Sequence, residues 1–158
     1  MERKFADGEV PVPADYRAWP KILGEVQRAD AKQVREVYLN PVGHTVKTGE
    51  PFPNGTVSVM ELYKARESAD GTLMKGADGK LVKGELLKVF VMAKGAGWGE
   101  SVKPSELRNG DWVYSAFLAD GKTAAPDQMS ACRSCHLPMA GKDYFARYDE
   151  YIKGRASY

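Results

Sequence analysis

Thr56-Val57-Ser58-Val59-Met60-Glu61-Leu62-Tyr63-Lys64-Ala65-Arg66 is the stretch on which the fold turns. Its apolar and polar residues alternate, and β-branched and aromatic types are frequent, so it predicts a strand. Successive side chains of a strand point to opposite faces. Val57, Val59 and Glu61 then share one face, and Ser58, Met60, Leu62 and Lys64 the other. Downstream, Asp70-Gly71 and Asp78-Gly79 are turn dipeptides that bracket a polar, hairpin-like excursion from Thr72 to Lys80. Leu86 to Lys94 (LLKVFVMAK) predicts a further strand, broken by Gly95 to Gly99, and Asp111 to Ala119 (DWVYSAFLA) another. Upstream, Lys32 to Leu39 (KQVREVYL) predicts the earliest of four strands.

The connections are equally legible. Asn40-Pro41 opens a loop, Val42 to Thr48 has room for one or two helical turns closed by Gly49, and Pro51, Pro53 and Asn54-Gly55 continue the loop. Phe5 to Pro13 reads as an irregular arm, and Asp15 to Trp19 as a short helix ended by Pro20. Only the C-terminal end reads as firmly helical. Pro126-Asp127 starts a helix with Asp127 as N-cap, and Pro138 stops it. Asp143 caps a last helix whose Tyr144, Phe145, Tyr148, Tyr151 and Ile152 form one apolar face. Strands followed by helices predict an α+β domain: mainly antiparallel sheet, then a helix carrying the cysteines, then an amphipathic helix.

The totals narrow the function. At 158 residues the chain fits one domain, residues 1–158. Lys and Arg number 23 against 21 Asp and Glu, a net charge of +2, which excludes the dense basic surface of a nucleic-acid binder. The longest strongly apolar run, Val89 to Ala93, is too short to span a bilayer. The only two cysteines fall in Cys132-Arg133-Ser134-Cys135-His136.

This is the C-x-x-C-H pattern of covalent haem attachment. Residues three apart on a helical turn share a face, so both thiols can add across the two vinyl groups of one porphyrin. The adjacent histidine is then held beneath the iron as an axial ligand. A thioredoxin-like pair sits in a βαβ context, absent here, and a zinc site needs about four ligands, whereas His44 is the only other histidine. A plain disulfide is the bland alternative. Haem c, one per chain and covalent, is the expected cofactor. Attachment of haem c takes place outside the bacterial cytoplasm. Met1 to Asp7 has no apolar signal region, so the expectation is a periplasmic protein in which Met1 replaces a removed signal peptide.

A C-terminal C-x-x-C-H after a β-rich body resembles the cytochrome P-460 and cytochrome c′-β family. The resemblance is carried by Pro13 to Trp19, Val34 to Pro41, His44, Lys47 to Glu50, Asn54 to Val59 and the haem motif. It implies a homodimer of antiparallel sheets, each haem lying between sheet and helix. Cytochromes P-460 bind hydroxylamine at a haem cross-linked to a lysine, and this chain has Met60 at the matching place. A thioether cannot form an amine–porphyrin bond, and Lys64 lies roughly 13 Å further along the strand. An efficient hydroxylamine oxidase is therefore not expected. The c′-β branch also lacks the lysine and keeps an apolar pocket that admits NO and CO.

Met60 thus has several readings: a wall of an open pocket, a sixth iron ligand, a covalent partner of the haem, or a core filler. Met74, Met92, Met129 and Met139 are rival ligands. Arg35 matches the family's distal arginine and shares a strand face with Val37 and Leu39; a surface arginine or a propionate partner is the alternative. Glu100 is the nearest match to a proton-moving carboxylate, and His44 suits a loop or interface hydrogen bond. The favoured function is a mono-haem cytochrome with His136 below the iron, binding NO or a similar small ligand. The alternative is a His136/Met60 electron carrier with a periplasmic redox partner, and a weaker one is oxidation of hydroxylamine or NO.

Overall fold

A computed structural model describes residues 4–145 and 147–154; Met1, read above as replacing a signal peptide, lies outside them. Five strands form one antiparallel sheet in sequential order: β1 (Lys21–Arg28), β2 (Gln33–Leu39), β3 (Val57–Ala65), β4 (Lys83–Lys94) and β5 (Trp112–Leu118). Two α-helices follow, α1 (Met129–His136) and α2 (Tyr148–Gly154). The expected α+β class is found.

The four predicted strands correspond to β2 to β5. The fifth, β1, lies in KILGEVQR, where Gly24 and three charged residues mask the apolar Ile22, Leu23 and Val26. Its pairing with β2 is irregular, with shifts between Lys21 and Leu23 and between Leu23 and Val26. A strand held in place by a neighbour needs no strict alternation of its own. The short helices predicted near Tyr16 and His44 are single 3-10 turns, Tyr16–Ala18 and Gly43–Thr45. Gly71 and Gly79 adopt φ of 85° and 76°, as the turns of the excursion require. β4 ends at Lys94, and the residue after it must be glycine because the Trp98 ring occupies the space where a Cβ of residue 95 would sit.

The C-terminal end departs from expectation. Asp127 does not cap α1; Gln128 holds that position without a side-chain bond, and Asp127 pairs with Lys88 at 2.8 Å. α1 does end just before Pro138, but the chain continues through it as a 3-10 stretch, Leu137–Lys142, because a proline near a helix start has no N–H to satisfy. Asp143 does not cap the last helix. It adopts φ of 50°, its carboxylate turns to the sheet, and α2 begins only at Tyr148.

Register places Arg35, Val37, Met60, Leu62, Phe90 and Met92 on one face of the sheet. Phe52, Trp112, Tyr114, Phe145, Tyr148 and Tyr151 pack over part of that face and join the C-terminal segment to it. The other face packs Tyr16, Tyr38, Val59, Val89 and Val91 beneath the N-terminal arm. Glu36 and Glu61 are directly opposed on that second face, and both are buried. Tyr16 donates to Glu61 at 2.6 Å, Tyr63 at 2.9 Å and Arg17 at 2.9 Å, while Lys21 and Lys83 hold Glu36 at 3.0 and 3.1 Å. Among the described residues no helix is long and apolar enough to cross a membrane.

Candidate haem site

A cavity of about 340 Å³ opens between the sheet and α1. Cys132, Cys135 and His136 line it from the helix, and Arg35, Val37, Met60, Leu62 and Phe90 from the sheet. The alternation of β3 explains the placement of Met60. Its partners in register are Val37 on β2 and Phe90 on β4, so three apolar side chains stand together on the sheet wall. The predicted face of Ser58, Met60 and Leu62 is the cavity face, and Glu61 faces away from it.

The three helix residues converge as the spacing predicts. Cys132 is half-buried and Cys135 exposed, and their sulfurs are not bonded to each other. Burial pushes the Cys132 thiol up, with Asp127 and Asp7 adding to the effect. His136 Nδ1 lies 2.6 Å from the Tyr144 carbonyl oxygen. A carbonyl can only accept, so Nδ1 carries the proton and donates it. That fixes the tautomer whose Nε2, across the ring, has its lone pair free for a metal. Burial lowers the His136 pKa, with the Tyr144 bond opposing it, which favours the neutral imidazole that iron binds.

The helix itself is anchored through the motif. Arg133 is 1% exposed and fixed by Asp7 of the N-terminal arm, Nε to Oδ2 at 2.7 Å and Nη2 to Oδ1 at 2.6 Å. The same guanidinium donates to the Trp112 carbonyl at 3.1 Å and stacks 5.2 Å from the Tyr114 ring. Tyr114 in turn lies 5.4 Å from the His136 ring. Asn109 donates to both the Tyr114 hydroxyl and the Arg133 carbonyl. None of these partners was evident in the sequence; Arg133 is a variable position of the attachment pattern.

Arg35 reaches the cavity, as its strand face implied. Nη2 donates to Gln33 at 3.0 Å, and Nε is buried without an acceptor. Burial lowers its pKa, Arg28 and Arg147 add to this, and Cys135 and Asp30 oppose it without reversing the shift. Arg147, absent from the sequence reading, is the other guanidinium on the cavity wall. Glu100 is not brought to the site. It is exposed on the 3-10 turn Trp98–Ser101 and pairs with Lys4 at 3.4 Å. Of the rival methionines Met92 lines the cavity and Met74 is exposed; Met129 packs against the core beside it. His44 shares a 2.8 Å hydrogen bond with Tyr151, the loop contact expected of it.

Two thiols and an imidazole of fixed tautomer against an apolar wall fit a covalently held porphyrin. Among the described residues no group of three or more His, Cys, Asp or Glu is arranged to hold a bare metal ion. The family model described as Cytochrome P460 matches residues 13–146. No curated protein matches the chain.

Proposed function

The chain belongs to the cytochrome P460 family of haem c cytochromes, and from that premise we propose that it is a periplasmic mono-haem protein that binds NO or a similar small, weakly polar ligand. Cys132 and Cys135 would hold the porphyrin by adding their S–H bonds across its vinyl groups, and His136 Nε2 would ligate the iron. When bound, such a group supplies an iron centre that takes a diatomic ligand or exchanges one electron. The observation that carries the reading is the wall opposite His136: Val37, Met60 and Phe90, with no lysine among them. A wall without an amine offers nothing to cross-link the porphyrin, and its apolar surface favours NO or CO over hydroxylamine. Among the described residues Arg35 is the one cationic group of the sheet wall, and it would donate to a bound ligand.

The location of Met60 on that wall also supports a second reading, in which its sulfur is the sixth ligand and the protein carries electrons to a redox partner. Visible spectra of the ferric and ferrous protein, with and without NO, separate the two. High-spin iron that takes up NO is expected. A low-spin spectrum with a thioether-to-iron band, converted to high spin by Met60→Ala, would establish the electron carrier instead. A homodimer, as the family resemblance implies, completes the proposal, and sedimentation of the holoprotein tests it.

A further inference from the structure

The Tyr144 carbonyl that meets His136 is held in an improbable place. Asp143 and Tyr144 both adopt left-handed backbone conformations, with φ of 50° and 59°, which side chains other than glycine seldom adopt. Something must hold them there. The Asp143 carboxylate accepts from the Phe52 backbone N–H at 2.9 Å and from Lys94 Nζ at 2.9 Å. Its own carbonyl accepts from the Trp112 indole N–H at 2.9 Å. Lys94 and Trp112 are partners in register at the adjoining ends of β4 and β5. Lys94 also donates to the Phe52 carbonyl at 2.8 Å. Both charged side chains are nearly withdrawn from water, at 13% and 9% exposure, so the pair is weakly screened.

We propose that Lys94 and Asp143 are positioning residues for the axial ligand: together they hold the Tyr144 carbonyl against His136 Nδ1 and so set how strongly the imidazole donates to iron. The inference rests on the haem reading above and goes beyond it, because neither residue lines the cavity. A proton shared with a carbonyl makes the imidazole more basic, and a more basic ligand favours ferric over ferrous iron. Releasing the clamp weakens that bond. The imidazole then donates less, and the reduction potential rises.

The test compares holoprotein carrying Lys94→Gln, Asp143→Asn or Lys94→Arg with the parent. Two quantities are read: the midpoint potential, and the iron–histidine stretching frequency of the ferrous protein after photolysis of its CO adduct. Lys94→Gln and Asp143→Asn should raise the potential and lower the frequency, and Lys94→Arg, which keeps the charge, should restore both toward the parent. A merely structural clamp would change the melting temperature and leave both readouts alone; that result in a folded variant overturns the proposal. If one variant fails to fold, the other decides. Parent protein that carries no covalent haem on a denaturing gel would overturn the haem reading itself, and this inference with it.

Discussion

Asp7→Ala would remove the carboxylate that faces a buried guanidinium inside the C-x-x-C-H motif. Arg133 is 2% exposed along its side chain and Asp7 26%, and the two form a bidentate pair at 2.6 and 2.7 Å. Breaking a buried pair by deleting one partner costs about 3–5 kcal/mol, because the remaining charge is left unpaired. Two features reduce that figure. Asp7 is a quarter exposed, so water screens part of the interaction, and Arg133 keeps the Trp112 carbonyl. A further loss opposes them, since Asp7 also accepts from the Tyr114 backbone N–H at 3.0 Å. A net loss of about 2–4 kcal/mol follows, which for a domain of this length lowers the melting temperature by roughly 5–15 °C. Thermal unfolding of the holoprotein, followed by circular dichroism, measures it. The double variant Asp7→Leu/Arg133→Met supplies the comparison, because replacing a buried pair by apolar groups is often neutral. It should melt above Asp7→Ala. An Asp7→Ala loss below about 1 kcal/mol, within the range of an exposed pair, would refute the reasoning.

Two further predictions follow from charged groups on either face of the sheet. Arg35→Leu should weaken NO binding about tenfold to a hundredfold, the loss of one hydrogen bond from a charged donor, measured by stopped-flow rates of binding and release; unchanged rates would reassign Arg35 to a haem propionate. Burial pushes the Glu61 carboxyl up, but hydrogen bonds from Tyr16, Tyr63 and Arg17 outweigh it and hold the pKa below the ordinary 4.5. Its stabilising contribution is therefore present above pH 4.5 and is lost as the pH falls through the lowered folded value. Parent protein should melt above Glu61→Gln at neutral pH, the gap closing in acid, and a gap that stays constant with pH would rule this out.

The sheet was legible where each strand carries its own alternation. In β3 the order Val59, Met60, Glu61, Leu62 put Met60 and Glu61 on opposite faces, and the family resemblance, not the alternation, pointed to the Met60 face as the one that meets the cavity. β1 was hidden because its register is irregular and its apolar residues are split by Gly24 and charge, so pairing with β2, not local pattern, decides its state. The convergence of Cys132, Cys135 and His136 was legible because residues three and four apart on a helix share a face. The motif's supports were not, because they come from distant sequence. Asp7 meets Arg133, Lys94 meets Asp143, and Tyr144 offers a backbone carbonyl that no side chain advertises. The reading of Asp143 as a helix cap shows the limit. An aspartate ahead of an apolar period is an N-cap by local rules, but a buried lysine at a strand end competes for it and wins.

The polar groups on the far face of the sheet bear on the cavity even though none of them lines it. Side chains alternate along β3, so a slip of one residue would carry Glu61 into the apolar wall and Met60 out of it. Apolar contacts alone penalise that slip weakly, since Val59 and Leu62 would each find other apolar neighbours. Glu61 penalises it strongly. In the native register its carboxylate receives Tyr16, Tyr63 and Arg17, and after a slip it would be buried away from Tyr16 and Arg17, with only Tyr63, two residues along the same strand, still beside it. Glu36, directly opposite on β2, adds the same constraint through Lys21 and Lys83. Two buried carboxylates that are each satisfied in only one register therefore fix which residues of β2 and β3 face the helix. They hold Val37, Met60 and Arg35 opposite His136 without touching the ligand that those residues would meet.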